Sequence, residues 1–392
     1  MSTADPPTKQ ASLVLTAESP PTGSAPQRSA LSDRLPRPWL FPLAVFALVW
    51  LLILVTWFTA DAIFGASHPW SWHILIMDTG WYRAIAQHGY TGDPHRAAFF
   101  PLFPLLIHLA SYLTGGNYLV AGLVTIIASG AASAVAVWAL ADRICGRRVA
   151  DRAVLLYCFF PGAMTFSILY SEPLAVALGA AALLALLDRR WILAGIIGAL
   201  ATAERPTLVV LVVVAGVAAI QAIWTRREWR ALLAPALTPL GVLIYFGYLG
   251  RTFHNYGYWF LVERKVWRQH FDGGVGVLRV VLWLNRHELS HKALVVMLTI
   301  TLLVALAGIA LMIAARLPFQ VTLFGVLTII LALTSTEMHL RPRLIWAAFP
   351  IFIGAAAKLP RWIYWPTLIL SAATLFLFIG AWRHLFGLKA PP

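Results

Sequence analysis

The sequence predicts an all-α protein that crosses a membrane several times. Hydrophobic residues make up 60% of its 392 residues and charged residues 12%, whereas a soluble domain carries about 25% charged residues. Continuous apolar runs recur from Leu40 to Trp382, each of about 15–25 residues, which is the length of a transmembrane helix. The runs do not alternate with a period of two, which argues against a membrane β-barrel.

About eleven transmembrane helices follow from these runs, taken in chain order. The candidate spans are 40–60, 117–141, 153–170, 174–187, 191–203, 207–224, 231–250, 293–315, 318–334, 344–357 and 362–382. Residues 1–38 are rich in Pro, Ser and Thr and lack the apolar segment of a signal peptide, so we predict a disordered cytoplasmic tail. Residues 39–392 then form a single integral membrane domain.

Short basic loops set the predicted orientation. Arginines precede the first span and recur at 143–152, 189–190 and 226–230, and such loops face the cytoplasm. They share one side only if Phe99–Leu113 does not cross, so we predict an amphipathic or re-entrant helix there on the outer face. The amino terminus is then cytoplasmic, and 61–116 and 251–292 are outer loops of a plasma-membrane protein. Further basic residues within 251–292 leave two explanations open, an anionic ligand or a wrong topology after the seventh span.

This topology brings the polar residues that interrupt the apolar runs to the outer face. They are Asp78, Glu172, Glu204–Arg205, the 251–292 segment and residues 337–343. Charged residues at membrane depth are costly and are commonly functional. One shared site, open to the outside at the bilayer boundary, is the simplest interpretation.

The segment Met77–Pro104 carries the strongest candidate. A helix over Met77–Tyr90 would place Asp78, Trp81, Tyr82 and Ile85 on one face, at i, i+3, i+4 and i+7. That face combines a carboxylate with two rings that could stack on a sugar or line a lipid chain. The alternative is an interfacial helix anchored by its aromatic residues.

Other charged residues also have two interpretations. Glu172, in Tyr170–Pro173, could orient a hydroxyl, hold a cation or pair with an arginine, or it could simply cap the next helix. Arg205 could face a phosphate, which guanidinium geometry suits, or could neutralise Glu204 within a turn. A second cationic cluster lies at His339, Arg341 and Arg343.

Several classes of function are not supported. The net charge is +14, but the basic residues lie between apolar runs and no nucleic-acid recognition module is present, so we predict no nucleic-acid partner. The two cysteines, Cys145 and Cys158, fall at or within spans and are predicted to be packing residues. No P-loop, Gly-x-Ser-x-Gly elbow or His-Glu-x-x-His helix occurs.

These motifs resemble the PIG-V-like GPI mannosyltransferase 2 family. The first outer loop matches through Asp78, Trp81-Tyr82, Ile85-Ala86, His88-Gly89-Tyr90, Ala98-Phe99-Phe100-Pro101 and Pro104. A second motif matches at Tyr170-Ser171-Glu172, and Arg341–Pro350 is similar to a late arginine-containing stretch. Met77 departs from the Trp or Phe that commonly precedes the aspartate. The composition resembles that of actinobacterial proteins, and since bacteria have no GPI anchor the acceptor stays open.

The resemblance implies an inverting glycosyltransferase of the GT-C class that takes mannose from polyprenyl-phosphate mannose. Its acceptor would be a cell-envelope glycolipid or lipoglycan. Asp78 maps onto the essential aspartate of the class, as base or as ligand of a divalent cation such as Mg²⁺ or Mn²⁺, and Glu172 could support either role. The predicted substrate-binding residues are Trp81, Tyr82, His88, Phe99, Phe100, Arg205, His339, Arg341 and Arg343.

Two alternatives remain from the sequence. One is an enzyme of the same class with another sugar or a protein acceptor. The other is a flippase for lipid-linked sugars, which would need polar residues at the bilayer midplane and internal repeats. No convincing repeat is visible in the sequence.

Overall fold

The described part of the chain is helical throughout its regular structure, as predicted. The computed structural model describes residues 37–63, 74, 78–269, 271–275, 289–334 and 342–386. Its α-helices are α1 (Leu40–Ile63), α2 (Thr79–His88), α3 (Leu102–Leu113), α4 (Tyr118–Cys145), α5 (Arg147–Cys158), α6 (Glu172–Leu187), α7 (Trp191–Glu204), α8 (Val210–Arg226), α9 (Leu233–Leu237), α10 (Leu240–Thr252), α11 (Tyr258–Lys265), α12 (Leu289–Ala314), α13 (Phe319–Leu333), α14 (Pro342–Ala347), α15 (Pro350–Lys358) and α16 (Arg361–Phe386). Short 3₁₀ helices occupy Pro94–Ala98, Pro161–Phe166, Pro206–Val209 and Trp229–Leu232.

The helices confirm a multi-pass membrane protein. Five segments within the described residues are long and apolar enough to cross a bilayer: Leu40–Ile63, Tyr118–Cys145, Pro206–Arg226, Trp229–Thr252 and Arg361–Gly380. Shorter apolar helices include Glu172–Leu187, Trp191–Glu204, Thr299–Ala314 and Phe319–Leu333. Each of these segments coincides with a predicted span. The predicted tail falls almost entirely outside the described residues, and the assignment of sides stays a prediction.

The predicted span 153–170 is not one helix. Helix α5 ends at Cys158, and a 3₁₀ helix begins at Pro161. Proline has no amide hydrogen to donate and its ring clashes with the preceding turn, so it cannot continue an α-helix but suits a first helical position. The apolar composition of the segment hid this break. The 3₁₀ helix ends at Phe166, and Tyr170–Glu172 follows at the start of α6.

The predicted outer-face helix over Phe99–Leu113 forms as α3, with 12 residues. At about 1.5 Å per residue it is about 18 Å long, shorter than the hydrocarbon core of about 30 Å. It packs against α2 and α4. A helix of this length agrees with the expectation that the segment does not span by itself, while its place on the outer face stays a prediction.

The core lies where α4, α5, α6 and α7 pack side by side. The fully buried ring of Trp346, from α14, stacks on Tyr157 of α5 with centroids 4.6 Å apart. Its indole Nε1 donates to the Tyr157 carbonyl oxygen at 2.9 Å. Small residues let the helices approach closely, since lipid-embedded helices gain stability from tight packing. This core fixes the late helix α14 against the early helices.

Gly241 marks the closest approach between α10 and α7. A Cβ atom at Gly241 would overlap the backbone carbonyl oxygen of Ala199 and lie 2.6 Å from the amide nitrogen of Ala203. Neither backbone atom can move without shifting α7. Gly247, on the same helix, has no atom within 4 Å of such a Cβ.

We therefore expect Gly241→Ala to destabilise the fold by about 1–3 kcal/mol, the usual cost of overpacking. Gly247→Ala is the matched control, and it should be neutral or stabilise by up to about 1 kcal/mol through helix propensity. Thermal unfolding in detergent measures both. Equal effects of the two substitutions would contradict the close approach of α10 and α7.

Candidate functional site

A cavity of about 280 Å³ brings together residues from five separate parts of the chain. Its wall comprises Asp78, Tyr82, Ala98, Phe99, Phe100, Tyr170, Glu204, Arg205, Pro206, Thr207, Glu263, Trp267, Gln269, Arg343 and Leu344. These residues come from the first predicted outer loop, the start of α6, the end of α7, the second predicted outer loop and α14. The sequence predicted that such polar residues share one site, and the structure brings them to one cavity.

Asp78 lies at the amino-terminal boundary of α2, but its side chain does not cap that helix. Its Oδ2 instead accepts a hydrogen bond of 2.9 Å from the Tyr170 hydroxyl. The Arg343 Nη2 lies 3.9 Å from the same oxygen, and the aspartate side chain is 35% exposed. The carboxylate is therefore oriented by two neighbours and still accessible from the cavity.

Glu172 is fully buried in the first turn of α6. Its Oε1 accepts a 3.2 Å hydrogen bond from Arg205 Nη2 and lies 3.7 Å from Arg343 Nε. A carboxylate is also stabilised at the amino-terminal end of a helix, where the backbone dipole is positive. The two alternatives for Glu172, a helix-terminal position and an arginine partner, thus occur together.

Arg205 and Arg343 line the cavity in front of Glu172, and each side chain is 16% exposed. The Arg343 guanidinium also lies over the Tyr170 ring, 4.6 Å from its centroid, in a cation–π contact. Among the described residues, its Nε and Nη1 have no hydrogen-bond partner. Arg343 therefore has donors available, and two oriented guanidinium groups suit an anion with several acceptor oxygens, such as phosphate.

Aromatic residues form the floor of the cavity. Tyr82 is buried, its hydroxyl lies 3.0 Å from Ser171 Oγ, and its ring meets Phe99 and Phe103 edge-on. Burial raises the pKa of Tyr82 well above its ordinary range, so the phenol stays neutral. Phe100 is 2% exposed and packs against Tyr245 of α10.

The second predicted outer loop contributes residues that the sequence did not single out as site residues. Glu263, at the end of α11, lines the cavity, and burial raises its pKa to about 7. Trp267 also lines the cavity and meets Trp81 and Phe99 edge-on. The mixture of rings and charges in 251–292 indicated a folded loop, but nothing local in the sequence connects it to Asp78.

Two of the remaining predicted residues lie outside the cavity wall, and two fall outside the described residues. Trp81 is half-buried and stacks on His95, with centroids 5.2 Å apart, outside the cavity wall. His88 is exposed at the opposite end of α2 from Asp78. Arg341 and His339 lie outside the described residues.

The predicted divalent cation finds little support in the donor set. The described residues contain no group of three or more His, Cys, Asp or Glu side chains that could hold a metal ion. Asp78 and Glu172 already have arginine neighbours, and cations repel a metal ion. The presence of Mg²⁺ or Mn²⁺ at Asp78 stays a prediction. The reaction below is derived from the protein side chains alone.

The chain is similar to known mannosyltransferases in sequence and to a solved glycosyltransferase in fold. Residues 60–228 match the family model described as mannosyltransferase (PIG-V). The fold is similar to that of ArnT from Cupriavidus metallidurans, solved bound to undecaprenyl phosphate, with a TM-score of 0.53 at 15% identity. The alignment covers 83% of this chain and 62% of the ArnT chain. This chain therefore spans less than two thirds of the length of ArnT. No curated protein sequence is significantly similar to this chain.

These findings confirm two predictions made from the sequence. The GT-C-type fold is confirmed by the structural similarity. The resemblance to PIG-V mannosyltransferases is confirmed over residues 60–228, a range that contains Asp78, Glu172 and Arg205. The family match and the fold together support the prediction of a glycosyltransferase.

We expect Glu172→Gln to destabilise the protein by about 3–5 kcal/mol, because it removes the buried counter-charge that two largely buried guanidinium groups share. The matched control is Asp188→Asn, which removes the exposed ion pair between Arg143 Nε and Asp188 Oδ1, 2.8 Å apart. Exposed pairs contribute about 1 kcal/mol or less. Thermal unfolding in detergent separates the two, and similar melting temperatures for both variants would contradict the central role of Glu172.

Proposed function

We propose that the protein transfers mannose from polyprenyl-phosphate mannose to a hydroxyl group of a cell-envelope glycolipid or lipoglycan. The reaction would take place at the extracytoplasmic face of the plasma membrane and invert the anomeric centre. One observation carries this proposal: a single cavity is lined by an accessible carboxylate, Asp78, and by two oriented guanidinium groups, Arg205 and Arg343. The PIG-V family match supports the sugar.

The two arginines suit the phosphate of the donor. In the transfer, the bond between the anomeric carbon and the phosphate oxygen breaks, and its electron pair leaves with the phosphate. Guanidinium donors fixed before the reaction stabilise this developing charge without reorganising. The ArnT chain, which was solved with undecaprenyl phosphate bound, has the same type of fold, in agreement with a lipid-phosphate donor. The lipid tail would remain in the bilayer.

Asp78 suits the acceptor hydroxyl. The acceptor oxygen forms the new bond to the anomeric carbon on the face opposite the phosphate, and its proton passes to the Asp78 carboxylate. A general base must reach the proton that it removes, and the 35% exposure of the Asp78 side chain meets this condition. The hydrogen bond from Tyr170 to Oδ2 orients the carboxylate and leaves its Oδ1 for the acceptor.

Glu172 would act through the arginines rather than on the substrate. It has no exposed surface, and both Arg205 and Arg343 stand between it and the cavity. Its charge offsets the repulsion between two neighbouring guanidinium groups. We therefore assign it a positioning role in the proposed reaction.

We expect Asp78→Asn to abolish mannose transfer while folding and membrane insertion persist, because an amide cannot accept the acceptor proton. The assay supplies purified protein in lipid with radiolabelled polyprenyl-phosphate mannose and total envelope lipids. Loss of a general base costs about 10²–10⁴-fold in rate.

The outcomes of this assay distinguish the alternatives. Labelled product from the wild type but not from Asp78→Asn supports the proposed reaction, and the mass of the product separates a glycolipid from a protein acceptor. Equal transfer by both proteins would remove Asp78 from the mechanism. Movement of intact donor across the bilayer without transfer would favour the flippase.

We expect Arg343→Gln to lower kcat by about 10²–10³-fold, the usual loss for one donor to a developing anion. Arg343→Lys should retain more activity, since it keeps the charge but loses the planar fork of donors. Arg230, which is exposed and distant from the cavity, gives the control variant Arg230→Gln. Equal rates for all three variants would exclude Arg343 from stabilising the leaving phosphate.

A further inference from the structure

Glu263 is one of three carboxylates in the cavity wall, with Asp78 and Glu204, and the proposed reaction does not use it. It lies near the end of α11 and is partly buried. Burial raises its pKa to about 7, and no cation or hydrogen-bond donor among the described residues offsets that effect. Asp78 and Glu172, in contrast, both have arginine partners. A carboxylate that is removed from water without a partner costs free energy, which a bound ligand with hydroxyl donors would recover.

Trp267 lines the same cavity as Glu263. An aromatic ring can cover the apolar C–H surface of a sugar, while a carboxylate accepts hydrogen bonds from its hydroxyl groups. The two residues therefore provide the two kinds of contact that a sugar ring offers. Neither is part of the arginine pair that suits the donor phosphate, so the cavity wall offers different side chains for a phosphate and for a neutral polyhydroxyl group.

The part of the wall that Glu263 and Trp267 form packs against the first predicted outer loop. Trp267 Nε1 donates to the carbonyl oxygen of His95 at 3.3 Å, and its ring lies edge-on to His95 at 5.7 Å. Helix α11 packs on the 3₁₀ helix Pro94–Ala98, and the Tyr245 hydroxyl donates to the carbonyl oxygen of Ala97 at 2.9 Å. The segment that carries Glu263 is thus fixed relative to the helix that begins after Asp78.

We propose that Glu263 and Trp267 form the acceptor subsite, in which Glu263 accepts hydrogen bonds from the hydroxyl groups of a sugar acceptor. This proposal rests on the proposed function and specifies the class of acceptor, a glycan rather than a protein side chain. The Glu263 carboxylate would fix the acceptor sugar while Asp78, in the same cavity, takes the proton of the reacting hydroxyl.

The test is the effect of Glu263→Gln on the two substrates separately. The assay uses polyprenyl-phosphate mannose as donor and hexyl α-mannoside, below its micelle-forming concentration, as acceptor. We expect the KM for hexyl α-mannoside to rise about tenfold, the loss expected for one hydrogen bond to a charged group, with the KM for the donor unchanged. Lys265→Gln, an exposed position on the same helix, is the control and should match the wild type.

An unchanged KM for hexyl α-mannoside, or an equal rise in both KM values, would overturn the subsite. If the wild type transfers no mannose, the proposed function fails instead, and calorimetric binding of hexyl α-mannoside in lipid nanodiscs tests Glu263 independently of activity. Binding by the wild type that weakens about tenfold in Glu263→Gln would support the subsite. Equal binding by both, or no binding by the wild type, would overturn it.

Discussion

The burial of the Glu172 carboxylate is the constraint on which the site depends. A carboxylate with no exposed surface is tolerated only with cationic partners and hydrogen bonds, and here the partners are Arg205 and Arg343. They come from the end of α7 and from α14. The single charge of Glu172 therefore connects the start of α6, the end of α7 and α14. The same requirement draws two guanidinium groups to the cavity wall, where an isolated arginine would be costly.

Tyr170 extends this arrangement to Asp78. Its hydroxyl donates to Asp78 Oδ2 at 2.9 Å, and its ring lies beneath the Arg343 guanidinium. The Tyr170–Glu172 turn therefore orients both kinds of group that the proposed reaction needs, the carboxylate through residue 170 and the arginines through residue 172. This turn lies between the 3₁₀ helix Pro161–Phe166, which follows α5, and the first residue of α6.

The sequence predicted the helices and part of the site, for separate physical reasons. Apolar runs reveal spans because lipid imposes length and composition on each helix by itself, and Asp78 and Arg205 were visible as isolated charges between such runs. The break at Pro161 was missed because the runs on both sides are apolar. Glu263 was missed because its role depends on contact with a loop far away in sequence, which no local pattern encodes.

The position of Arg343 between two carboxylates suggests how donor and acceptor chemistry are coupled in the proposed reaction. Arg343 lies 3.9 Å from Asp78 Oδ2 and 3.7 Å from Glu172 Oε1. A phosphate in the cavity would compete for this guanidinium, and the exposed Asp78 would yield before the buried Glu172, which cannot turn to water. Asp78 would then lose its cationic neighbour when the leaving group is in place, while its Oδ1 stays open to the acceptor. An acceptor hydroxyl would thus be activated chiefly beside a bound donor, which disfavours unproductive proton transfer.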